Sequence, residues 1–197
     1  MDELRRLSFE QMFERAASTT PSPGGGAVMG LCGMMGVALL LKAVRITLKH
    51  RQDEALAAAQ SEFERLARLL AQDADADASS FDAYMAAGRQ PHTTPDESAA
   101  RSRALAQAAL DSVEVALAAL AHAVEAMTVA RRIAGRLSPR MAPDLSGGLA
   151  LLEAVRANAV DNARDGLDRT EGSPRREALA ARLGRLISET AAGVERQ

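Results

Sequence analysis

The chain reads as an all-α protein, and three features of its 197 residues say so. Ala dominates, Trp is absent, one Tyr is present and aromatics make up only 3%. That composition suits helices packed through small side chains, not a sheet of aromatic and β-branched residues. Apolar residues recur every three or four positions along most of the chain, and Pro/Gly/Ser clusters separate the periodic stretches. The expected architecture is a single domain over residues 1–197, an up-and-down bundle of about six helices, some kinked, with no strands.

Residues 3–18 carry Leu4, Leu7, Met12, Phe13 and Ala16 at helical spacing and stop at Thr19-Thr20-Pro21. A second helix is expected over 25–49, with Gly26, Gly30, Gly33 and Gly36 forming a stripe along which a neighbouring backbone can come close. A third covers 53–87, with Leu56, Phe63, Leu66, Leu69 and Leu70 inward, and ends in a break at Gly88–Pro95. The fourth, 96–137, opens with Pro95, Asp96 and Glu97, the residues a positive helix N-terminus favours. Ser138-Pro139 and Ala142-Pro143 precede a fifth at 144–167, and Gly172-Ser173-Pro174 precedes a final charged helix reaching Val194.

A net charge of −2 with interspersed signs argues against a nucleic-acid surface. The single Cys32 excludes a disulfide framework or a multi-cysteine metal site and reads as a buried small side chain. The run Ala27–Leu41 offers 15 uncharged residues before Lys42 and Arg45, short of the ~20 that span a bilayer. It therefore reads as a buried helix of a protein without a membrane role. Met1-Asp2-Glu3-Leu4-Arg5-Arg6 has no apolar leader pattern, so a cytoplasmic location is expected.

The most informative stretch is Thr20-Pro21-Ser22-Pro23-Gly24-Gly25-Gly26, a stiff approach ending in backbone without Cβ at the mouth of a helix. Such a junction aims free N–H groups and the positive end of the helix dipole at its neighbour. Asp73, Asp75 and Asp77 alternate with alanines, but Ala78 and Tyr84 stand where a calcium loop needs Gly and Glu. On a helix Asp73 and Asp77 share a face while Asp75 points away. His50, His92 and His122 show no metal spacing, and each reads as a surface or capping residue. Asp144 reads as a helix N-cap, and Asn158 with Asn162 as amides that need partners inside an apolar helix.

These residues resemble the cyclodeaminase/cyclohydrolase family of folate one-carbon enzymes. Its Thr-Pro-x-Pro-Gly-Gly-Gly loop is matched at Thr20–Gly26, continuing ungapped to Thr47. An Asp-x-Asp-Ala-x-x-Phe block is matched at Asp75, Asp77, Ala78 and Phe81, then Met85, Ala87 and Pro91. An Asp opening a helix with an Asn eighteen residues on is matched at Asp144 and Asn162. The chain departs from the pattern at Lys49–Asp53, where a Gly-Lys-Lys-Lys-Tyr-like stretch is usual, at Pro143 for Ser, at Ala27 for Ser, and at Gly166 for a second Asn.

The resemblance implies chemistry at the bridge between N5 and N10 of tetrahydrofolate, either cyclodeamination of the 5-formimino form or hydrolysis of the 5,10-methenyl form. Both pass through a tetrahedral carbon and need an acid and a base, which two aspartates of separated pKa supply without metal or other cofactor. Asp75 or Asp77 is expected to transfer the proton, and Asp144 to position the pterin or water. Pro23, Gly24, Gly25 and Gly26 would lie against the folate, Asn162 would hydrogen-bond it, and Lys49, His50 and Arg51 would meet the glutamate tail. A homodimer formed through the glycine-rich helices is expected. The departures leave as the alternative a catalytically weakened or inactive homologue that binds folate or a protein partner; a purely structural or interaction bundle would not need the intact Pro23–Gly26 loop.

Overall fold

The computed structural model describes residues 4–194; residue 3 of the expected first helix, and both ends of the expected 1–197 domain, lie outside them. Six α-helices and three one-turn 3-10 helices occupy these residues, with no strand among them. They are α1 (Phe9–Ala17), α2 (Gly25–Leu48), α3 (Glu54–Gly88), α4 (Pro95–Ile133), α5 (Ala142–Asp168) and α6 (Pro174–Val194). Consecutive long helices pack on one another, and α5 returns against α2, so α2 to α5 close a four-helix ring. α6 lies mainly against α4.

Local chemistry sets the boundaries. Ser8 and Gln11 form a reciprocal capping box at α1, and Thr94 and Glu97 form one at α4, where Pro95 takes the first turn. Asp53 caps α3 by accepting the Leu56 N–H at 3.2 Å. The expected fourth helix ends at Ile133 and continues as a 3-10 turn, Ala134–Arg136. Buried Thr47 holds the next loop: its hydroxyl donates to the Ala43 carbonyl and accepts the Ser138 N–H at 3.0 Å.

The core sits inside the ring. Val37, Leu40 and Val44 of α2 meet Phe63, Leu66 and Leu70 of α3, Met127 and Ile133 of α4, and Leu152 and Val155 of α5. A second cluster joins Leu179 and Leu183 of α6 to Leu117, Val160 and Leu167. The glycine stripe faces inward. A Cβ at Gly30 would lie 2.9 Å from Ala74, one at Gly33 3.1 Å from Val155, and one at Gly36 3.0 Å from the Gly148 carbonyl. Hydrogen there lets α3 and α5 approach α2 closely. The stripe is thus consumed within the chain and is not the surface through which two copies would meet.

Three packing expectations change. Phe13 points outward and is 62% exposed, and Phe9 is 89% exposed. Leu4 is buried in a separate 3-10 turn, its N–H bound to Asp75 Oδ1 at 2.8 Å. Cys32 is half-buried, not fully enclosed. By length and composition alone, α2 and the stretch Pro95–Arg136 are apolar enough to cross a membrane, although the uncharged run of α2 is short; half of each apolar window is buried within the bundle.

Candidate functional site

The segment before α2 carries a cis Ser22–Pro23 bond and delivers Gly24 as the helix N-cap. Glycine has no side chain with which to cap, and Gly24 makes no side-chain cap bond. α3 supplies the missing acceptor, because the Asp77 carboxylate takes the Ala27 N–H. Contact there is closer than any side chain would permit: a Cβ on Gly26 would lie 2.1 Å from Asp77 Oδ1. Among the described residues no glycine has positive φ, so these glycines serve close approach and not unusual backbone angles.

A cleft of about 220 Å³ opens at this junction, lined by Gly24, Gly25, Gly26, Asp77, Ser80, Phe81, Tyr84, Ala109, Ser112, Asn162, Asp165, Gly166 and Arg169. Burial pushes the Asp77 carboxyl above its ordinary 3.8, and the Ala27 N–H draws it only partly back. The group thus holds a proton more readily than a surface aspartate while remaining on the cleft wall. Arg169 stands at the C-terminal end of α5, its guanidinium 5.5 Å from the Tyr84 ring centroid and 2.8 Å from Asp165. Its Nη1 also donates to the Tyr84 hydroxyl at 3.4 Å, so ring and carboxylate together hold the cation in place at the cleft. Asn162 donates to the Asn158 carbonyl at 3.2 Å. Asn162 is exposed and Asn158 half-buried, so the pair satisfies itself at the cleft edge and not inside the core.

Behind the cleft lies a second, much smaller cavity of about 10 Å³, bounded by Gly26, Gly30, Asp73, Asp77, Asn158 and Asn162 with apolar residues of α4 and α5. Asp73 is buried, with its Oδ2 2.7 Å from His122 Nδ1. His122 is therefore neither a surface nor a capping residue; it is the partner of a buried carboxylate across the α3–α4 contact. Among the described residues no group of three or more His, Cys, Asp and Glu side chains is arranged to hold a metal ion.

The residues expected from sequence divide between the two ends of the bundle. Gly24, Gly25, Gly26, Asp77 and Asn162 converge on the cleft. Pro23 is buried beside them and borders a neighbouring groove between α1 and α3. Asp75, on the opposite face of α3 from Asp77, is engaged with the Leu4 N–H and does not line the cleft. Lys49 and His50 follow the far end of α2, roughly 35 Å from Gly25 at 1.5 Å per residue, and both are exposed. Arg51 at that end binds Asp53 and the Arg136 carbonyl. Asp144 is also remote: it lies in the first turn of α5, whose N-cap position is Met141, and pairs with Lys42 Nζ at 2.8 Å.

Ser80, Ser112, Asp165 and Arg169 also line the cleft, as does Tyr84, which the sequence presents only as a residue unfit for a calcium loop. A signal was present, since Asp77, Ser80 and Tyr84 sit at i, i+3, i+7, and Asn162, Asp165 and Arg169 repeat that spacing. Gly166 stands where the family pattern has a second Asn, and a Cβ there would lie 2.5 Å from Val113 Cγ2. Its α5 backbone is held too close to α4 for a larger side chain.

A family model described as formiminotransferase-cyclodeaminase matches residues 8–183. The chain belongs to the formiminotransferase-cyclodeaminase family. A methenyltetrahydrofolate cyclohydrolase of Methylorubrum extorquens strain AM1 is 30% identical over 151 residues, covering 75% of this chain and 72% of that protein. The crystal structure of formiminotetrahydrofolate cyclodeaminase from Thermotoga maritima superposes with a TM-score of 0.85 at 20% identity, covering 98% of this chain and 95% of the other. That likeness shows that the two chains share one all-helical fold.

Proposed function

We propose that this member of the formiminotransferase-cyclodeaminase family acts on the one-carbon bridge between N5 and N10 of tetrahydrofolate, and that its reaction is hydrolysis of the methenyl form. The observation that carries the proposal is the Asp77 carboxyl set against Gly26, bonded to the Ala27 N–H and raised in pKa on the wall of an open cleft. Asp77 takes a proton from the attacking water as the new C–O bond forms. A carboxyl of raised pKa is a stronger base than a surface aspartate and, once protonated, can serve as the acid for N5 as the C–N5 bond breaks. Phe81 and Tyr84 supply apolar surface for a flat pterin beside Gly24–Gly26. No metal or further cofactor enters this scheme.

The assignment of tail-binding residues shifts. Lys49 and His50 stand at the wrong end of α2, whereas Arg169 lines the cleft and offers guanidinium donors suited to a glutamate carboxylate. Asp75 and Asp144 take structural roles, the first holding Leu4 and the second pairing with Lys42. The sequence relative's printed activity favours hydrolysis over ammonia release. A homodimer is proposed through the outward face of α2, where Met35 is 56% exposed and Leu31, Cys32 and Leu39 are half-buried.

The deciding experiment supplies the protein with methenyltetrahydrofolate and, separately, 5-formiminotetrahydrofolate. Following the methenyl absorbance and ammonia release distinguishes the reactions. Accelerated methenyl decay without ammonia release from the formimino substrate supports hydrolysis. Ammonia release instead assigns cyclodeamination, and saturable binding with neither reaction assigns a non-catalytic homologue.

A further inference from the structure

We infer that Ser80 and Ser112 select the substrate's ring, each accepting one N–H of the 2-amino group on the pyrimidine end of the pterin. The inference rests on the folate reading above. It adds which edge of the substrate enters the cleft and what that edge meets.

The cleft is graded from mouth to floor. Asn162, Asp165 and Arg169 stand exposed at the mouth, whereas Ala109 and Gly166 are buried and Ser80 and Ser112 are half-buried. Polar character changes in the same direction. Arg169 and the Asn162 amide bring N–H donors to the mouth. Further in, the two serines lie on different helices, Ser80 on α3 and Ser112 on α4. Each has already committed its hydroxyl proton: Ser80 Oγ donates to the Asp77 carbonyl at 3.0 Å and Ser112 Oγ to the Ala108 carbonyl at 3.0 Å. A hydroxyl has one proton and two acceptor lone pairs, so both serines offer a ligand acceptors only. An edge seated between them has to bring donors.

In a reduced folate the donor-rich edge is the pyrimidine end of the pterin, with its amino group and N3–H. The glutamate tail ends in carboxylates, which only accept, and these match the donors at the mouth. The two polarities therefore set one orientation, amino end inward and tail outward past Arg169. A ring without the amino group leaves the serine oxygens unpaired, and that is the source of discrimination. Serines that bond back to their own helix are common. Ser79 does so on the same helix but outside the cleft, exposed and donating to the Asp75 carbonyl at 2.8 Å, and it serves as a matched control.

The test is isothermal titration of wild type, Ser80→Ala, Ser112→Ala and Ser79→Ala with tetrahydrofolate and with its 2-desamino analogue, the fold being checked by circular dichroism. Ser80→Ala and Ser112→Ala are each expected to weaken tetrahydrofolate binding about three- to tenfold, as loss of one neutral hydrogen bond does. KM for methenyl hydrolysis rises by a similar factor. The analogue binds wild type more weakly than tetrahydrofolate does, and equally well to wild type and both cleft variants. Ser79→Ala changes neither affinity. Unchanged tetrahydrofolate affinity in both cleft variants, or equal losses for the two ligands, overturns the inference and leaves the folate reading standing. Failure of the wild type to bind tetrahydrofolate overturns the folate reading, and the inference falls with it.

Discussion

Gly26→Ala separates the stability of the site from its chemistry. The new Cβ would stand 2.1 Å from Asp77 Oδ1, 2.5 Å from its Cγ and 2.7 Å from Oδ2. Real Cβ contacts essentially never fall below 3.0 Å, so the carboxyl must retreat by about 0.9 Å (3.0 less 2.1). The obstructing atoms end a side chain and are not backbone, so the helices need not move. Retreat weakens the bond from the Ala27 N–H, worth about 1.5–3 kcal/mol for a charged acceptor. Alanine returns up to ~1 kcal/mol of helix propensity. The net loss is about 0.5–2 kcal/mol, a small shift in Tm. Activity responds far more, because a misplacement of about 1 Å at a reacting centre costs on the order of 10²-fold. Thermal unfolding by circular dichroism and methenyl hydrolysis, measured on one preparation, give both numbers. A folded variant with wild-type kcat would refute the reasoning, because the glycine would then be a packing residue with no hold on Asp77.

Further expectations concern residues the structure separates. Asp75→Ala removes the acceptor of the Leu4 N–H, costing about 1 kcal/mol in denaturant unfolding while leaving kcat unchanged; a collapse of kcat in folded protein would return Asp75 to the reaction. Arg169→Ala is expected to raise KM about tenfold, the equivalent of one charge-assisted hydrogen bond of ~1.4 kcal/mol, with kcat preserved; an unchanged KM would remove it from the tail site. Asp77 also leaves a mark on stability. Its native pKa is raised, so the folded chain holds the proton after the unfolded chain has lost it, and stability falls as pH rises from 3.8 through the native value. Asp77→Asn removes that component, and its denaturation midpoint should decline less over this window than the wild type's; parallel curves would contradict the assignment.

The helices were legible because their signals are local. Pro95 with Asp96 and Glu97, the break at Gly88–Pro95 and the Ser138–Pro143 stretch mark ends by chemistry that acts within a few residues. The Gly24–Gly26 wall and Asp77 were legible for a different reason, as both fall within dense motif blocks. What sequence order does not show is which end of a helix a residue occupies in space. α2 carries Gly26 near one end and Lys49 at its other limit, so one ungapped motif reached two places some 35 Å apart at 1.5 Å per residue. α5 likewise spans both ends, with Asn162 at the cleft and Asp144 beside Lys42. His122 gave no signal alone, since its meaning arises only where α4 lies across Asp73.

Asp77 is the group proposed to transfer the proton in the cleft, and replacing it by Asn tests that most directly. The variant keeps the shape and an acceptor for the Ala27 N–H while losing the exchangeable proton. With helicity and folate binding retained, methenyl hydrolysis should fall by about 10²–10⁴-fold. A folded Asp77→Asn protein hydrolysing methenyltetrahydrofolate at the wild-type rate would contradict the central claim.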